Sequence, residues 1–124
     1  MEENADWRFG VVGNITRSHL DENGVLRYGT KEFTGGTKVF LYGKNWDCSQ
    51  AEICVIGRNR FKRLSFERVS VEHIENVRAQ RIFEPSVLDF IYGEEQMEGA
   101  DWWGRTSADR KATKQFVKDW LART

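Results

Sequence analysis

The sequence predicts a mainly β protein, built as a small barrel or bent antiparallel sheet and closed by a short helix and a C-terminal helix. Short runs rich in Val, Ile and aromatic residues, separated by glycine-containing turns, fill the first two thirds of the chain. The last third changes to the three- and four-residue apolar spacing of a helix. Since the 124 residues contain no linker-like or repetitive segment, we expect a single domain, 1–124, with a β core at 8–83 and a helical extension at 84–124.

The predicted strands are bounded by turn signals. The Asn23-Gly24 pair and the "TGG" at 34–36 favour tight turns. The segment 37–43 places apolar residues on both faces of its strand. The strands are expected at 7–17, 25–30, 37–43, 51–57, 59–69 and near 76–82, with a hairpin turn at 57–59 and a helical turn near 72–75.

Two helices are expected in the last third. Pro85 suits the first turn of a helix over 85–92. Thr106 or Ser107 can cap the second helix, and Asp109 falls in its first turn, where a carboxylate is favoured. The apolar stripe of this helix, which we expect to pack on the sheet, consists of Ala112, Phe116, Val117, Trp120 and Leu121.

Three segments of the sequence, taken in order, resemble parts of a known fold. "FGVVGNI", "FTGGTKVFLYG" and "EICVIGRNRFKRLSF" follow one another with a long loop after the first and a helical turn after the last. This order resembles the SH3-like barrels over roughly residues 8–82, and it implies fold more than function. In size and composition the chain also resembles small bacterial immunity proteins that neutralise toxins, which implies an inhibitor that acts by binding a toxin domain.

The charge balance and the absence of known motifs limit the functions that we expect for this chain. Lys plus Arg and Asp plus Glu number 19 each, so the chain lacks the positive excess of a protein that coats DNA. No pattern of nucleophile and base, zinc ligands or phosphate-binding loop is found. His73 lies between Glu72 and Glu75, a pattern that fits a metal or acid–base site but is commoner in a surface turn. We therefore expect a non-enzymatic protein without catalytic residues, metal or cofactor.

The tryptophans predict a protein-binding surface. Exposed Trp beside carboxylates suits a basic protein partner. An alternative is that Trp102 and Trp103 pin the last helix to the sheet. The predicted protein-binding residues are Trp46, Asp47, Glu98, Asp101, Trp102 and Trp103.

The hairpin around 58–63 gives an alternative function, nucleic-acid binding. Phe61 stands among four cations, and an aromatic ring among cations can stack on a base. Strand alternation does not gather the cations on one face, so a solvated hairpin tip is the competing interpretation. The residues of this alternative are Arg58, Arg60, Phe61, Lys62 and Arg63.

The expected setting is the cytoplasm. No apolar run approaches the ~20 residues that a membrane span needs, and the first ten residues lack the basic and apolar regions of a signal peptide. Two cysteines are too few for a disulfide framework. The expected partner is another protein, such as a toxin domain, with nucleic acid second and no membrane; the pattern leaves the oligomeric state open.

Overall fold

A computed structural model describes residues 7–42, 51–95 and 103–122. Within these ranges the chain is mainly β with two α-helices, as the sequence predicts. The strands are β1 (Arg8–Ile15), β2 (His19–Leu20), β3 (Leu26–Arg27), β4 (Lys38–Tyr42), β5 (Glu52–Arg58), β6 (Leu64–Ser70) and β7 (Ile74–Ile82). The helices are a 3₁₀ turn (Val71–His73), α1 (Pro85–Glu95) and α2 (Ser107–Ala122).

Five strands form one antiparallel sheet in the order β6-β5-β4-β1-β7, and β2 pairs with β3 in a separate two-stranded sheet. The 3₁₀ turn lies between β6 and β7, where the sequence predicts a helical turn. Among the described strands the sheet is not closed into a barrel, because β6 and β7 are its two edges and each pairs with a single neighbour. Of the two predicted architectures, the antiparallel sheet with a C-terminal helix is the one observed. No helix within the described ranges is long and apolar enough to cross a membrane.

A β-bulge bends the pairing of β1 with β7. The register runs from Val12 opposite Arg78 to Asn14 opposite Glu75, so β7 has one more residue than β1 over this step. The backbone of Asn76 takes up the change with a φ of 57°, a left-handed conformation that Asn tolerates better than most residues. Such bulges increase local twist and bend the strand that carries the extra residue.

The central strand β4 is buried on both faces, with four consecutive buried residues from Val39 to Tyr42. Helix α2 packs against β1 and β7. Burial of this kind requires apolar residues at successive positions rather than only at alternate ones. The two apolar sets predicted for segment 37–43 are therefore both core.

The buried face of α2 differs from the predicted stripe. Phe116 and Trp120 are buried, as expected, but Thr113 is fully buried while Ala112 is exposed and Leu121 is 57% exposed. Thr113 can take a core position because its hydroxyl donates a hydrogen bond to the Asp109 carbonyl at 2.8 Å. A hydroxyl that makes a hydrogen bond costs little free energy to bury. Thr113 therefore takes the buried position that was predicted for Ala112, one residue further along the helix.

The start of α2 is fixed by a reciprocal pair of hydrogen bonds. The Asp109 N–H donates to Thr106 Oγ1 at 3.1 Å, and the Thr106 N–H donates to Asp109 Oδ2 at 3.0 Å. This arrangement is a capping box with Asp in place of the usual Glu. Thr106 is therefore the cap, and its N–H and hydroxyl lower the pKa of Asp109 below the ordinary range.

Candidate functional site

The β2–β3 hairpin has a tip organised by one side chain, Asp21. Its Oδ1 accepts hydrogen bonds from the N–H groups of Asn23 and Val25, both at 2.9 Å. The Asp21 N–H donates to the Val25 carbonyl at 2.9 Å, and Gly24 closes the turn with a φ of 78°. This is a three-residue loop with a left-handed residue in its last position. The Val25 N–H, helped by the Arg27 side chain, holds the pKa of Asp21 below its usual value.

The hairpin exposes large apolar side chains on a rigid frame. Leu20 and Leu26 are direct cross-strand partners, and they are 67% and 48% exposed. Tyr28, two residues beyond Leu26, is 69% exposed, and Val25 at the tip is 49% exposed. Single exposed apolar residues are normal on protein surfaces, whereas four on one short hairpin make it a candidate interaction surface. We call Leu20, Val25, Leu26 and Tyr28 the hairpin patch.

The loop that follows the hairpin is tied to the body of the protein. Phe33 is fully buried and anchors the loop in the core. Glu67 on β6 accepts hydrogen bonds from Thr30 Oγ1 at 2.7 Å and from the Glu32 N–H at 3.2 Å. Gly29 has a φ of 75° and lies so close to Phe33 that an added Cβ would clash with the Phe33 carbonyl oxygen. The hairpin patch is therefore held in a defined position relative to the sheet.

Two histidines meet where the hairpin joins the body. His19 of β2 and His73 of the 3₁₀ turn stack with ring centroids 3.9 Å apart and an interplanar angle of 30°. The rings border a groove of about 310 Å³, which is also lined by residues 29–31 and by Glu67 and Ser70. The sequence places the two histidines far apart in the chain, so no local spacing could have indicated the pair.

The environment of His73 favours its neutral imidazole. Burial lowers the pKa of His73, and the neighbouring His19 acts in the same direction, whereas Glu72 and Glu67 oppose the change. Nδ1 of His19 is buried and makes no hydrogen bond with any of the described residues. Stacked rings do not converge their nitrogens on one point, and the described residues contain no group of three or more His, Cys, Asp or Glu that could hold a metal ion. The sequence grouped His73 with Glu72 and Glu75, whereas the ring of His73 stacks on His19.

The predicted nucleic-acid residues are separated by their contacts. The hairpin turn lies at 59–63, later than the predicted 57–59, because Asn59 organises it. Arg58 donates to Ser86 Oγ of α1 at 3.2 Å. Arg60 donates to the carbonyl oxygens of Lys31 at 2.6 Å and Thr30 at 3.1 Å. Two of the four cations thus connect the hairpin to its surroundings rather than forming one basic face.

The remainder of that tip projects outward. Phe61 is 79% exposed, and Lys62 and Arg63 are exposed beside it. Lys62 adopts a φ of 67°, the conformation that Gly24 has in the β2–β3 tip. Three of the five predicted residues, Phe61, Lys62 and Arg63, are therefore brought together at the tip.

Trp103 does not belong to the predicted protein-binding surface, because it is buried. The ring is 4% exposed, and Nε1 donates to the Leu41 carbonyl at 3.2 Å. An added Cβ on Gly10 would fall 2.7 Å from the ring, which shows how closely the indole covers β1. Trp103 is thus a core residue that pins the approach to α2, as the alternative interpretation holds. Trp46, Asp47, Glu98, Asp101 and Trp102 lie outside the described residues.

Phe9 and Gly104 fix the segment that carries Trp103. The Phe9 N–H donates to the Gly104 carbonyl at 2.6 Å, and the Gly104 N–H donates to the Phe9 carbonyl at 3.2 Å. The pairing of β1 with β4 runs from Asn14 to Val11, so Gly104 pairs with β1 beyond the end of the β1–β4 pairing.

No protein-family profile, curated protein or solved structure matches this chain.

Proposed function

We propose that the chain is a non-enzymatic binding module that presents the hairpin patch to another protein. The observation that carries this proposal is the exposure of Leu20, Leu26 and Tyr28 on a hairpin whose tip and base are both fixed by hydrogen bonds. A pre-organised surface loses little conformational freedom on binding, so more of the contact energy appears as affinity.

The chemistry of the patch suits an apolar surface with a polar edge on the partner. Tyr28 combines a large ring with a hydroxyl, a combination common among residues that dominate interface energies. Arg27 lies on the opposite strand face from Leu26 and pairs with Asp21 at 3.0 Å. Its charge is therefore already balanced within the hairpin, which leaves the apolar contact as the main source of affinity.

The resemblance in size and composition to small bacterial immunity proteins gives the proposal a more specific form, an immunity-type inhibitor that binds a bacterial toxin domain in the cytoplasm. The 3₁₀ turn between β6 and β7 fits the order of elements on which the SH3-like resemblance rests, although the described sheet is open. Two cysteines among 124 residues fit a reducing compartment. The partner in this form is the product of a neighbouring gene.

The test is co-expression with the neighbouring gene product, followed by size-exclusion chromatography and titration calorimetry. We expect a stable complex with the unaltered chain and at least about tenfold weaker binding for Leu20→Ser and Tyr28→Ser, because each removes a central apolar contact. Phe61→Ser is the matched control, since Phe61 is exposed to a similar degree at the other hairpin tip. Equal losses at all three positions, or none at Leu20 and Tyr28, would refute a role for the hairpin patch.

The second candidate is nucleic-acid binding by the 59–63 tip. It rests on the exposed ring of Phe61 beside Lys62 and Arg63. Single-stranded RNA should then bind with an affinity that falls as salt is raised, and the charge reversals Lys62→Glu and Arg63→Glu should abolish binding. Electrophoretic mobility shifts that are unchanged by these reversals would exclude this candidate.

A further inference from the structure

A small pocket lies between β7 and α2, away from the β2–β3 hairpin. Its volume is about 200 Å³, and it is lined by Phe9, Gln80, Arg81, Arg110, Thr113 and Lys114. Phe9 is 9% exposed and forms an aromatic wall. Drug-sized ligands occupy pockets of roughly 300–1,000 Å³, so this pocket suits a small chemical group.

Three cationic residues, Arg81, Arg110 and Lys114, line this pocket. The guanidinium carbon of Arg110 lies 5.0 Å from the centroid of the Phe9 ring, and that of Arg81 lies 5.5 Å from the same centroid. Arg81 is also 4.8 Å from the ring centroid of Trp7. Lys114 is one helical turn beyond Arg110, so both side chains lie on the same face of α2.

Within the described residues, no carboxylate forms an ion pair with Arg81, Arg110 or Lys114. Asp109, the neighbour of Arg110 in sequence, uses its carboxylate to cap the helix at Thr106. Like charges on one helix face destabilise it, and the aromatic walls offset only part of that cost because each cation–π contact is weak. An anion in the pocket would offset much of this positive charge.

We propose that this pocket binds the phosphate group of a small ligand. A dianion matches three cations better than a carboxylate does, and guanidinium groups donate paired hydrogen bonds to phosphate oxygens. The volume admits a phosphoryl group with a short attached chain. The pocket is formed by residues of β1, β7 and α2, so this inference is independent of the hairpin patch.

The test is an NMR titration of the isotope-labelled chain at about pH 8, where a phosphate ester is a dianion because its second pKa is about 6, and where inorganic phosphate, which is somewhat less acidic, is mainly a dianion too. Inorganic phosphate, glycerol phosphate and acetate are compared at constant ionic strength. We expect saturable shifts of the amides of Gln80, Arg81 and Arg110 with both phosphates, and at least about tenfold weaker binding of acetate. Tighter binding of glycerol phosphate identifies a phosphate ester as the ligand, and equal binding identifies free phosphate.

Four glutamine variants separate a built site from a general charge effect. Arg110→Gln and Lys114→Gln should each weaken phosphate binding about tenfold. Lys111→Gln and Lys118→Gln remove the same charge from exposed positions of the same helix that do not line the pocket, and should change the Kd less than about twofold. The absence of saturable shifts below about 10 mM phosphate, or equal losses in all four variants, would overturn the proposal.

Discussion

The two hairpin tips share one backbone design but differ at the left-handed position, and this difference gives a quantitative prediction. Asp21 and Asn59 make corresponding hydrogen bonds, and the left-handed residue is Gly24 in one tip and Lys62 in the other. A residue with a Cβ costs about 1–2 kcal/mol in this conformation. Glycine loses about 0.5–1 kcal/mol more chain entropy on folding. Lys62→Gly should therefore stabilise the protein by about 0.5–1 kcal/mol.

The reverse substitution in the other tip is the matched experiment. An added Cβ on Gly24 would have no heavy atom within 4 Å, so Gly24→Ala changes only the backbone preference. We expect it to destabilise the fold by about 0.5–1 kcal/mol. Urea denaturation followed by circular dichroism gives both free energies, and at roughly 4 °C per kcal/mol the melting temperatures should move in opposite directions.

Lys62→Ala separates backbone strain from charge. It removes the ammonium group but keeps the Cβ, so we expect a change of less than about 0.5 kcal/mol. If Lys62→Ala stabilises the protein as much as Lys62→Gly does, the gain comes from removing a cation near Arg63 rather than from the φ of 67°. That result would refute the argument for this tip.

Three further predictions concern the cap, the histidine pair and the indole. Thr106→Ala should cost about 1 kcal/mol of unfolding free energy, measured in urea, because the cap of α2 loses its hydroxyl acceptor; Thr106→Ser should retain most of the stability. Burial lowers the pKa of His73, so the unfolded chain binds more protons and stability should fall as the pH drops below about 6.5. His73→Phe, which keeps a ring against His19, should flatten that dependence between about pH 7.5 and 5, and an unchanged slope would contradict the assignment. Gly10→Ala should destabilise by about 1–3 kcal/mol through its clash with Trp103, and recovery of stability in a second variant with a smaller residue at 103 would confirm the contact.

Much of the fold could be predicted because its signals are local. Most strands follow from apolar runs and turn residues, and Pro85 and Thr106 mark the starts of α1 and α2. β2 (His19–Leu20) was not predicted, and β6 begins at Leu64 rather than at 59. Closure into a barrel depends on whether the two edge strands of the sheet pair with each other. Local sequence patterns do not indicate such long-range pairing. The rotation of the α2 stripe to Thr113 also escaped prediction, because it depends on a hydrogen bond rather than on apolarity.

The candidate site was predicted less well, for a related reason. Leu20, Leu26 and Tyr28 resemble core residues in composition, and only the tertiary fold shows that nothing in the described part of the chain covers them. The contact of His19 with His73 depends on the 3₁₀ turn meeting β2. Trp103 shows the opposite error, because a tryptophan in an acidic, glycine-bounded segment was expected at the surface and is buried.

Net charge is a poor guide to function in this chain, because what matters is which cations already have a partner. The basic run at 58–63 is conspicuous in the sequence, yet Arg58 and Arg60 serve as connections to α1 and to the 30–31 carbonyls. Arg81 and Arg110 are inconspicuous because they lie in separate segments, but the packing of α2 on β7 brings both against Phe9. An even balance of 19 cations and 19 anions is thus compatible with a local excess of positive charge, and the pocket between β7 and α2 is where the structure places it.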